Sequence, residues 1–130
     1  MSFARYAIAP FALALCLIAS LASAGGREAY NQAAFDAAQK AGKPILVEIH
    51  ASWCPVCKVQ APVLNNLRSQ PEFKNLQTFY IDFDSQKDLL RAFKVSKQST
   101  LIVFKGASEV GRSTGDTNPA SIEALVAKSL

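Results

Sequence analysis

An apolar run that ends just before a pair of cysteines limits what this chain can fold into more than any other feature. Residues 45–50 read ILVEIH, and a Gly-Lys-Pro turn opens this β-rich stretch, which is typical of a buried central strand. After the cysteines, apolar residues recur at helical spacing, namely Val59, Val63, Leu64 and Leu67. The sequence therefore predicts a strand, a short turn that carries Cys54, and a helix that begins beside it.

The remaining patterns predict further helices and strands. Helices are predicted at residues 30–41, 86–94 and 121–128, the last opened by an Asn-Pro start signal. Strands are predicted at residues 78–83, 100–105 and 109–114, the last as an antiparallel edge strand. This order predicts an α/β fold with three layers, in which a central mixed sheet is flanked by helices.

The first 24 residues have the pattern of an export signal. Arg5 is their only charged side chain, residues 7–21 are almost continuously apolar, and residues 22–24 are the small residues that a signal peptidase requires. We expect a signal peptide at residues 1–24 that is cleaved off, leaving one domain at residues 25–130. A retained membrane anchor is the alternative, but a spanning helix needs about 20 apolar residues and this run is shorter.

The charge distribution gives no support for nucleic acid as a partner. The chain has 14 Lys and Arg against 10 Asp and Glu, a formal net charge of +4. Its lysines are scattered singly, without a basic run or interleaved aromatic residues, as on an ordinary solvated surface. No repeat or low-complexity tract divides the chain, and we expect a monomer.

The spacing of the two cysteines that follow the strand favours a reactive pair over a structural disulfide. Cys54 and Cys57 are separated by two residues, and a disulfide that closes so short a loop constrains the unfolded chain little. A tetrahedral zinc site usually needs four Cys or His ligands, and His50 is the only histidine. Cys16 is expected to be removed with the signal peptide. The spacing therefore indicates redox chemistry more than a zinc site.

The position of Cys54 at the start of a helix predicts which sulfur reacts first. Unpaired N–H groups and the positive end of the helix dipole stabilise a thiolate there and lower the pKa of a thiol. Cys57 lies about one turn further along the same face, within reach of a disulfide. We therefore expect Cys54 to be the exposed nucleophile and Cys57 to resolve the mixed disulfide.

These residues resemble the thioredoxin superfamily, and within it the small exported thioredoxin-like proteins. The resemblance extends from about residue 43 to the C-terminus. It is carried by ILVEIHASWCPVCK, Pro62, Phe83-Asp84, TLIVFKG and Gly115. The resemblance implies a thioredoxin-like fold and a catalytic dithiol–disulfide pair.

The resemblance also implies roles for individual residues. Cys54 matches the nucleophilic cysteine, Cys57 the resolving one, and Trp53 the aromatic residue beside them. Glu48 aligns with a buried acid that assists deprotonation of the resolving cysteine, and we assign it a catalytic role as proton acceptor near neutral pH. The structural alternative is that Glu48 reaches a surface partner such as a lysine.

Residues between and before the cysteines have two interpretations each. Pro55 suits the first turn of a helix, where a missing N–H costs nothing, and it is also a candidate for substrate contact. Pro55 and Val56 stand where thioredoxins that act as general cytosolic reductants usually have Gly-Pro. The residues between the cysteines affect the stability of the thiolate and therefore the reduction potential of the pair. Tyr80 stands where many thioredoxins have a lysine. His50 is either a rim residue near Cys54 or an ordinary core or surface histidine.

The loop that faces the cysteines in the family departs most from the family pattern. The resemblance implies that Ser99 and Thr100 contact substrate, together with Trp53 and Pro55, but the family has a cis-proline where this chain has Ser99. A non-proline cis peptide costs about 2.5–4 kcal/mol, so we expect a trans bond. The N–H and hydroxyl of Ser99 could then reach toward the Cys54 sulfur.

The pattern and the resemblance together predict a periplasmic thiol–disulfide oxidoreductase that needs no cofactor or metal. Its substrates would be disulfides of partner proteins, and a membrane-embedded thiol carrier would supply the electrons. The reductive direction is implied by the resemblance alone. The alternatives are a disulfide donor and a module that binds or carries a soft metal ion with the same two cysteines.

Overall fold

A computed structural model describes residues 26–130, and the predicted signal peptide at residues 1–24 lies outside them. The strands are β1 (Arg27–Ala29), β2 (Pro44–His50), β3 (Gln77–Asp82), β4 (Thr100–Lys105) and β5 (Ser108–Thr114). The helices are α1 (Gln32–Lys40), α2 (Pro55–Ser69), α3 (Lys87–Ala92) and α4 (Pro119–Ala127), with a 3₁₀ turn at Pro71–Phe73. The predicted elements are thus present, with boundaries that differ by a few residues.

The strands form one mixed sheet in the order β1-β3-β2-β4-β5. The pairs β1–β3 and β2–β3 are parallel, whereas β2–β4 and β4–β5 are antiparallel. The prediction of a thioredoxin-like α/β fold with a central mixed sheet is confirmed. Because β2 is the middle strand, the turn that follows it places the cysteines at the centre of one end of the sheet.

Alternate residues of β2 pack into two separate cores, as its pleat requires. Ile45, Val47 and Ile49 pack in a core with residues of α1 and α3, such as Phe35 and Leu90. Leu46, on the opposite face, packs in a second core whose residues come largely from α2 and α4. Glu48 shares the face of Leu46, and this places a carboxylate beside α2.

The sequence pattern did not predict the short strand β1. Its three residues are all exposed, so they lack the alternation of apolar and polar side chains that marks a half-buried strand. It pairs with the edge of β3 and brings Arg27 over the ring of Tyr80, 4.2 Å from the ring centre. β1 thereby places a positive charge next to the central strand.

No helix between residues 26 and 130 is both long and apolar enough to cross a membrane.

Candidate active site

The two cysteines occupy the first turn of α2. Cys54 is the N-cap residue, Pro55 follows at the first helical position, and the sulfurs of Cys54 and Cys57 are joined in a disulfide with 5.3 Å between the Cα atoms. The Cys54 sulfur accepts a hydrogen bond from the backbone N–H of Cys57 at 3.1 Å. The predicted position at a junction of strand and helix is confirmed, and Pro55 lies where it costs no helical hydrogen bond.

The exposure of the two cysteines differs from the expectation. Cys54 has an exposed fraction of 0%, whereas Cys57 is partly exposed. The expectation that Cys54 is the exposed member of the pair is therefore wrong for the disulfide form. Cys54 is buried because it lies beneath the loop before β4, where the Ser99 oxygen is 3.0 Å from the Cys54 sulfur.

Ser99 contacts both sulfurs through its hydroxyl. Its Oγ lies 3.0 Å from the Cys54 Sγ and 3.2 Å from the Cys57 Sγ. Its peptide bond is trans, since residues 26–130 contain no cis peptide bond. The predicted trans bond and the predicted approach of the hydroxyl are confirmed. The Ser99 N–H, in contrast, donates to the Ile49 carbonyl at 2.8 Å and does not reach the sulfur.

The backbone of Ser99 is held in the left-handed region, with φ of +61°. A residue with a Cβ loses about 1–3 kcal/mol in such a conformation, which persists only where its surroundings enforce it. Here the Ser99 N–H is bound to Ile49, and the Ser99 carbonyl accepts from the Gly115 N–H at 3.0 Å and from Gln60 Nε2 at 3.2 Å. These three hydrogen bonds fix the hydroxyl against the disulfide.

Gln60 is a site residue that the sequence analysis missed. Its side chain is buried on α2 and donates to the Ser99 carbonyl and to the Asp116 carbonyl, the latter at 2.7 Å. It thus links the helix of the cysteines to two loops. The available signal was its spacing, because Gln60 stands on the same helical face as the buried residues Leu64 and Leu67.

Glu48 is buried and paired with two arginines. Its Oε2 accepts from Arg27 Nε at 2.6 Å, and its Oε1 accepts from Arg68 Nη1 at 2.8 Å. One arginine comes from β1 and the other from the C-terminal part of α2. The sequence analysis proposed neither arginine, and a lysine was the partner expected in the structural alternative. The role of Glu48 as a proton acceptor stays a prediction.

A cavity of about 310 Å³ lies between β1, β2 and α2, and we call it the basic cavity. Its walls include Arg27, Glu48, His50, Cys57, Lys58 and Arg68. Cys57 and Glu48 therefore border the same space, as a proton transfer between them would require. His50 also lines this cavity, and its imidazole packs edge-on against Tyr80 with 6.0 Å between ring centres.

The residues expected to contact substrate divide into exposed and buried ones. Trp53 is 53% exposed and Pro55 is exposed, whereas Ser99 and Thr100 are both buried. The Thr100 hydroxyl donates to the Lys97 carbonyl at 2.8 Å and lies 3.0 Å from the Thr114 hydroxyl. Thr100 therefore fastens its loop in this form, and contact of these four residues with a substrate stays a prediction.

The turn after β3 holds the indole of Trp53. Trp53 Nε1 donates to Asp84 Oδ2 at 2.7 Å. The turn is itself fixed by Asp82, whose Oδ1 accepts from the hydroxyl and the N–H of Ser85, each at 2.8 Å. Because these donors favour the charged carboxylate, the pKa of Asp82 lies below its ordinary value. The Asp82 carboxylate therefore stays charged, and able to accept these hydrogen bonds, to a lower pH than an ordinary aspartate.

The described residues offer little to a metal ion. Between residues 26 and 130, no group of three or more His, Cys, Asp or Glu side chains is arranged to hold one. Cu(I) bound here would have the sulfurs of Cys54 and Cys57 as its only soft protein ligands in this part of the chain.

The chain is similar to thioredoxins in sequence and in structure. The family model described as Thioredoxin matches residues 27–128. Thioredoxin-2 of Saccharomyces cerevisiae is 33% identical over 97 residues, which cover 74% of this chain and 90% of that protein. A thioredoxin of Mycobacterium tuberculosis is 35% identical over 80 residues, 62% of this chain and 68% of that one. The crystal structure of Trxlp from Edwardsiella tarda matches with a TM-score of 0.75 and 44% identity, covering 78% of this chain and 98% of that one.

Replacing the Ser99 hydroxyl tests its contact with sulfur. In a Cys57→Ala background, Ser99→Ala should slow alkylation of Cys54 by iodoacetamide at neutral pH by about tenfold, because a hydrogen bond to a charged group contributes roughly 1.5 kcal/mol or more. The rate is measured by mass spectrometry of the Cys54 peptide. Ser108→Ala, at the opposite end of β4 and β5, is the matched control. An equal rate in both variants would mean that the hydroxyl does not stabilise the thiolate.

The variant Ser99→Pro is less suitable for this purpose, although proline is the residue of the family. Proline fixes φ near −65° and has no N–H, so it cannot keep φ at +61° or donate to Ile49. Its effect would combine the loss of the hydroxyl with a rebuilt loop.

Proposed function

Since the chain belongs to the thioredoxin family and carries a Cys-x-x-Cys pair in disulfide geometry, we propose that it reduces disulfides of partner proteins in the bacterial periplasm. It is a thiol–disulfide oxidoreductase, and the resemblance to the thioredoxin superfamily is confirmed. The observation that carries the proposal is the cysteine pair at the N-terminus of α2, where Cys54 receives two hydrogen-bond donors.

The reduced pair would act through its more stabilised thiolate. The Cys57 N–H and the Ser99 hydroxyl can both donate to the Cys54 sulfur, so Cys54 attacks one sulfur of the substrate disulfide and the other sulfur leaves. The Cys57 thiolate then attacks Cys54, which re-forms the disulfide and releases the substrate as a dithiol. Because Cys54 is buried beneath Ser99 in the disulfide form, substrate access requires movement of that loop.

The surface around the cysteines suits a polypeptide substrate. Trp53, which precedes Cys54, is 53% exposed, and Pro55, which follows it, is exposed as well. Exposed apolar side chains next to a reactive group give a partner chain contact area without demanding a particular sequence. This supports a protein substrate for the half-reaction at Cys54.

The predicted signal peptide at residues 1–24 supports the periplasmic location. Export removes the protein from cytosolic reductants, which is why we propose a membrane-embedded thiol carrier as its electron donor.

Fractionation of cells by osmotic shock should release the protein with a new N-terminus at residue 25. Recovery of the full-length chain in membranes would favour a retained anchor. Gel filtration of the released protein should give the mass of a monomer.

The reduction potential of the pair decides the direction of exchange. We expect a value near the thioredoxin figure of about −270 mV, measured by equilibration in glutathione redox buffers. A value near about −120 mV would instead identify the protein as a disulfide donor.

The metal-carrier alternative predicts a stoichiometric metal content in protein purified from the periplasm. It also predicts that the protein does not reduce insulin.

Single cysteine variants test the order of attack. Cys57→Ser should accumulate mixed disulfides with partner proteins, because the bond at Cys54 can no longer be resolved. Cys54→Ser should trap no protein partner and lose exchange activity. The trapped species are identified by non-reducing electrophoresis and mass spectrometry of the linked peptides. Equal trapping by both variants would contradict the order.

Replacing Glu48 tests the proton relay. If Glu48 accepts the proton of Cys57, Glu48→Gln should slow the resolving step, because the glutamine amide cannot take up that proton. The rate of release from a preformed mixed disulfide is measured between pH 5 and 9. Glu28→Gln, an exposed carboxyl on β1, is the matched control. An unchanged profile together with a lower free energy of unfolding would assign Glu48 to the ion pairs with Arg27 and Arg68 alone.

A further inference from the structure

The buried amide of Gln60 joins the helix of the cysteines to the loop that carries Ser99. We propose that Gln60 is a positioning residue, which keeps the Ser99 hydroxyl at the Cys54 sulfur and thereby stabilises the Cys54 thiolate of the reduced pair. The inference rests on the proposed reaction through Cys54 and names a residue that sets the stability of its thiolate. Gln60 acts through the Ser99 peptide and not on the reacting atoms.

The position of Gln60 on α2 turns its side chain toward the interior. Gln60 comes three residues after Cys57 and four before Leu64, so the three residues lie along one face of the helix. Only 3% of Gln60 is exposed. Polar side chains are buried in this way when their polar atoms have hydrogen-bond partners. A glutamine at this point of an otherwise apolar face therefore indicates a specific hydrogen-bonding role.

The Gln60 side chain binds two carbonyl groups through one nitrogen. Its Nε2 donates to the Ser99 carbonyl at 3.2 Å and to the Asp116 carbonyl at 2.7 Å. Both partners are acceptors, so the amide must present its NH₂ group to them, and both hydrogens are used. The two bonds span 39 and 56 residues of the sequence. The amide therefore fastens the loop before β4 and the loop after β5 to one point on α2.

Gln60 supplies the side-chain bond among the three that hold the Ser99 peptide. The other two join backbone groups, because the Ser99 N–H donates to the Ile49 carbonyl and the Gly115 N–H donates to the Ser99 carbonyl. A residue with a Cβ keeps a φ of +61° only where its surroundings enforce it. Since the backbone bonds follow from the course of the chain, the Gln60 bond is the one that a change of residue type can remove directly.

The position of the Ser99 peptide determines where its hydroxyl lies. The Ser99 Oγ is 3.0 Å from the Cys54 Sγ and 3.2 Å from the Cys57 Sγ. Hydrogen bonds weaken steeply when their distance and angle are lost, so a modest displacement of the peptide would remove both contacts. The Gln60 amide therefore affects the sulfurs through the hydroxyl that it helps to hold in place.

The hydroxyl contact favours the reduced pair over the disulfide. A hydrogen bond to a charged acceptor is roughly twice as strong as one to a neutral acceptor, and a disulfide sulfur carries no charge. In the reduced pair, the Cys54 thiolate can accept from the Ser99 hydroxyl in addition to the Cys57 N–H. Loss of the hydroxyl contact should therefore shift the equilibrium toward the disulfide and make the reduction potential more negative.

The variant Gln60→Met tests the proposal, because methionine is similar in length to glutamine and donates no hydrogen bond. Equilibration of the purified protein with glutathione should give a constant shifted about three- to tenfold toward the disulfide, a potential about 14–30 mV more negative. An equilibrium is measured because a loosened loop would also expose Cys54 and change any reaction rate. Gln70→Met is the matched control, since Gln70 caps the far end of α2 and donates to Asn66. It should leave the potential unchanged.

A double-mutant cycle shows whether Gln60 acts through the Ser99 hydroxyl. Ser99→Ala should shift the same constant toward the disulfide by about tenfold. In the Ser99→Ala background, Gln60→Met should add less than about twofold, because the hydroxyl that Gln60 positions is already absent. Full addition of the two shifts would overturn the proposal. It would also be overturned by an unchanged potential in Gln60→Met, even if the free energy of unfolding fell.

A second variant keeps the test decisive if Gln60→Met does not fold. Gln60→Asn retains the amide but is shorter by one methylene group, so it cannot reach both carbonyls from the same helical position. It should make the potential more negative by a smaller factor, and an unchanged potential in this variant would contradict the role of Gln60. Insulin reduction by the wild-type protein, driven by dithiothreitol, is measured in parallel. Its absence would contradict the proposed function, whereas its presence with unchanged potentials would contradict the role of Gln60 alone.

Discussion

The disulfide site depends on the peptide unit of Ser99, which three hydrogen bonds hold in a conformation that a residue with a Cβ rarely adopts. The bonds come from the central strand, from the helix of the cysteines and from Gly115. Because these bonds hold the loop against the cysteines, the Ser99 hydroxyl lies within 3.2 Å of both sulfurs. The strained backbone is therefore maintained by the same elements whose junction forms the site.

The charged side of the site follows from the position of Glu48 in the middle strand. A buried carboxylate without a partner would be strongly destabilising, so the fold must bring cations to it. Arg68 comes from α2, but Arg27 comes from β1, a three-residue strand whose side chains are otherwise exposed. β1 therefore supplies one of the two cations that neutralise Glu48. Arg27 and Arg68 also give the cavity beside Cys57 more positive than negative charge.

The features predicted correctly are those that short stretches of sequence encode. Strand and helix periodicity located Cys54 at a helix start, and the energy of a non-proline cis peptide predicted the trans bond of Ser99. The missed features join residues far apart in sequence. The bonds of Glu48 to Arg27 and Arg68 span 21 and 20 residues. The contact of Ser99 with Cys54 spans 45 residues, and it was expected only because of the family resemblance. Only the packing of the whole domain determines such pairs.

The two sulfurs are therefore unequal in two independent respects. Cys54 has the hydrogen-bond donors that stabilise a thiolate but lacks access in the disulfide form, whereas Cys57 borders a cavity. The two donors at Cys54 are the reason why we propose that the reduced pair reacts through that sulfur. One of those donors, the Ser99 hydroxyl, also covers Cys54 in the disulfide form, so the contact that would stabilise the thiolate also limits access to the sulfur.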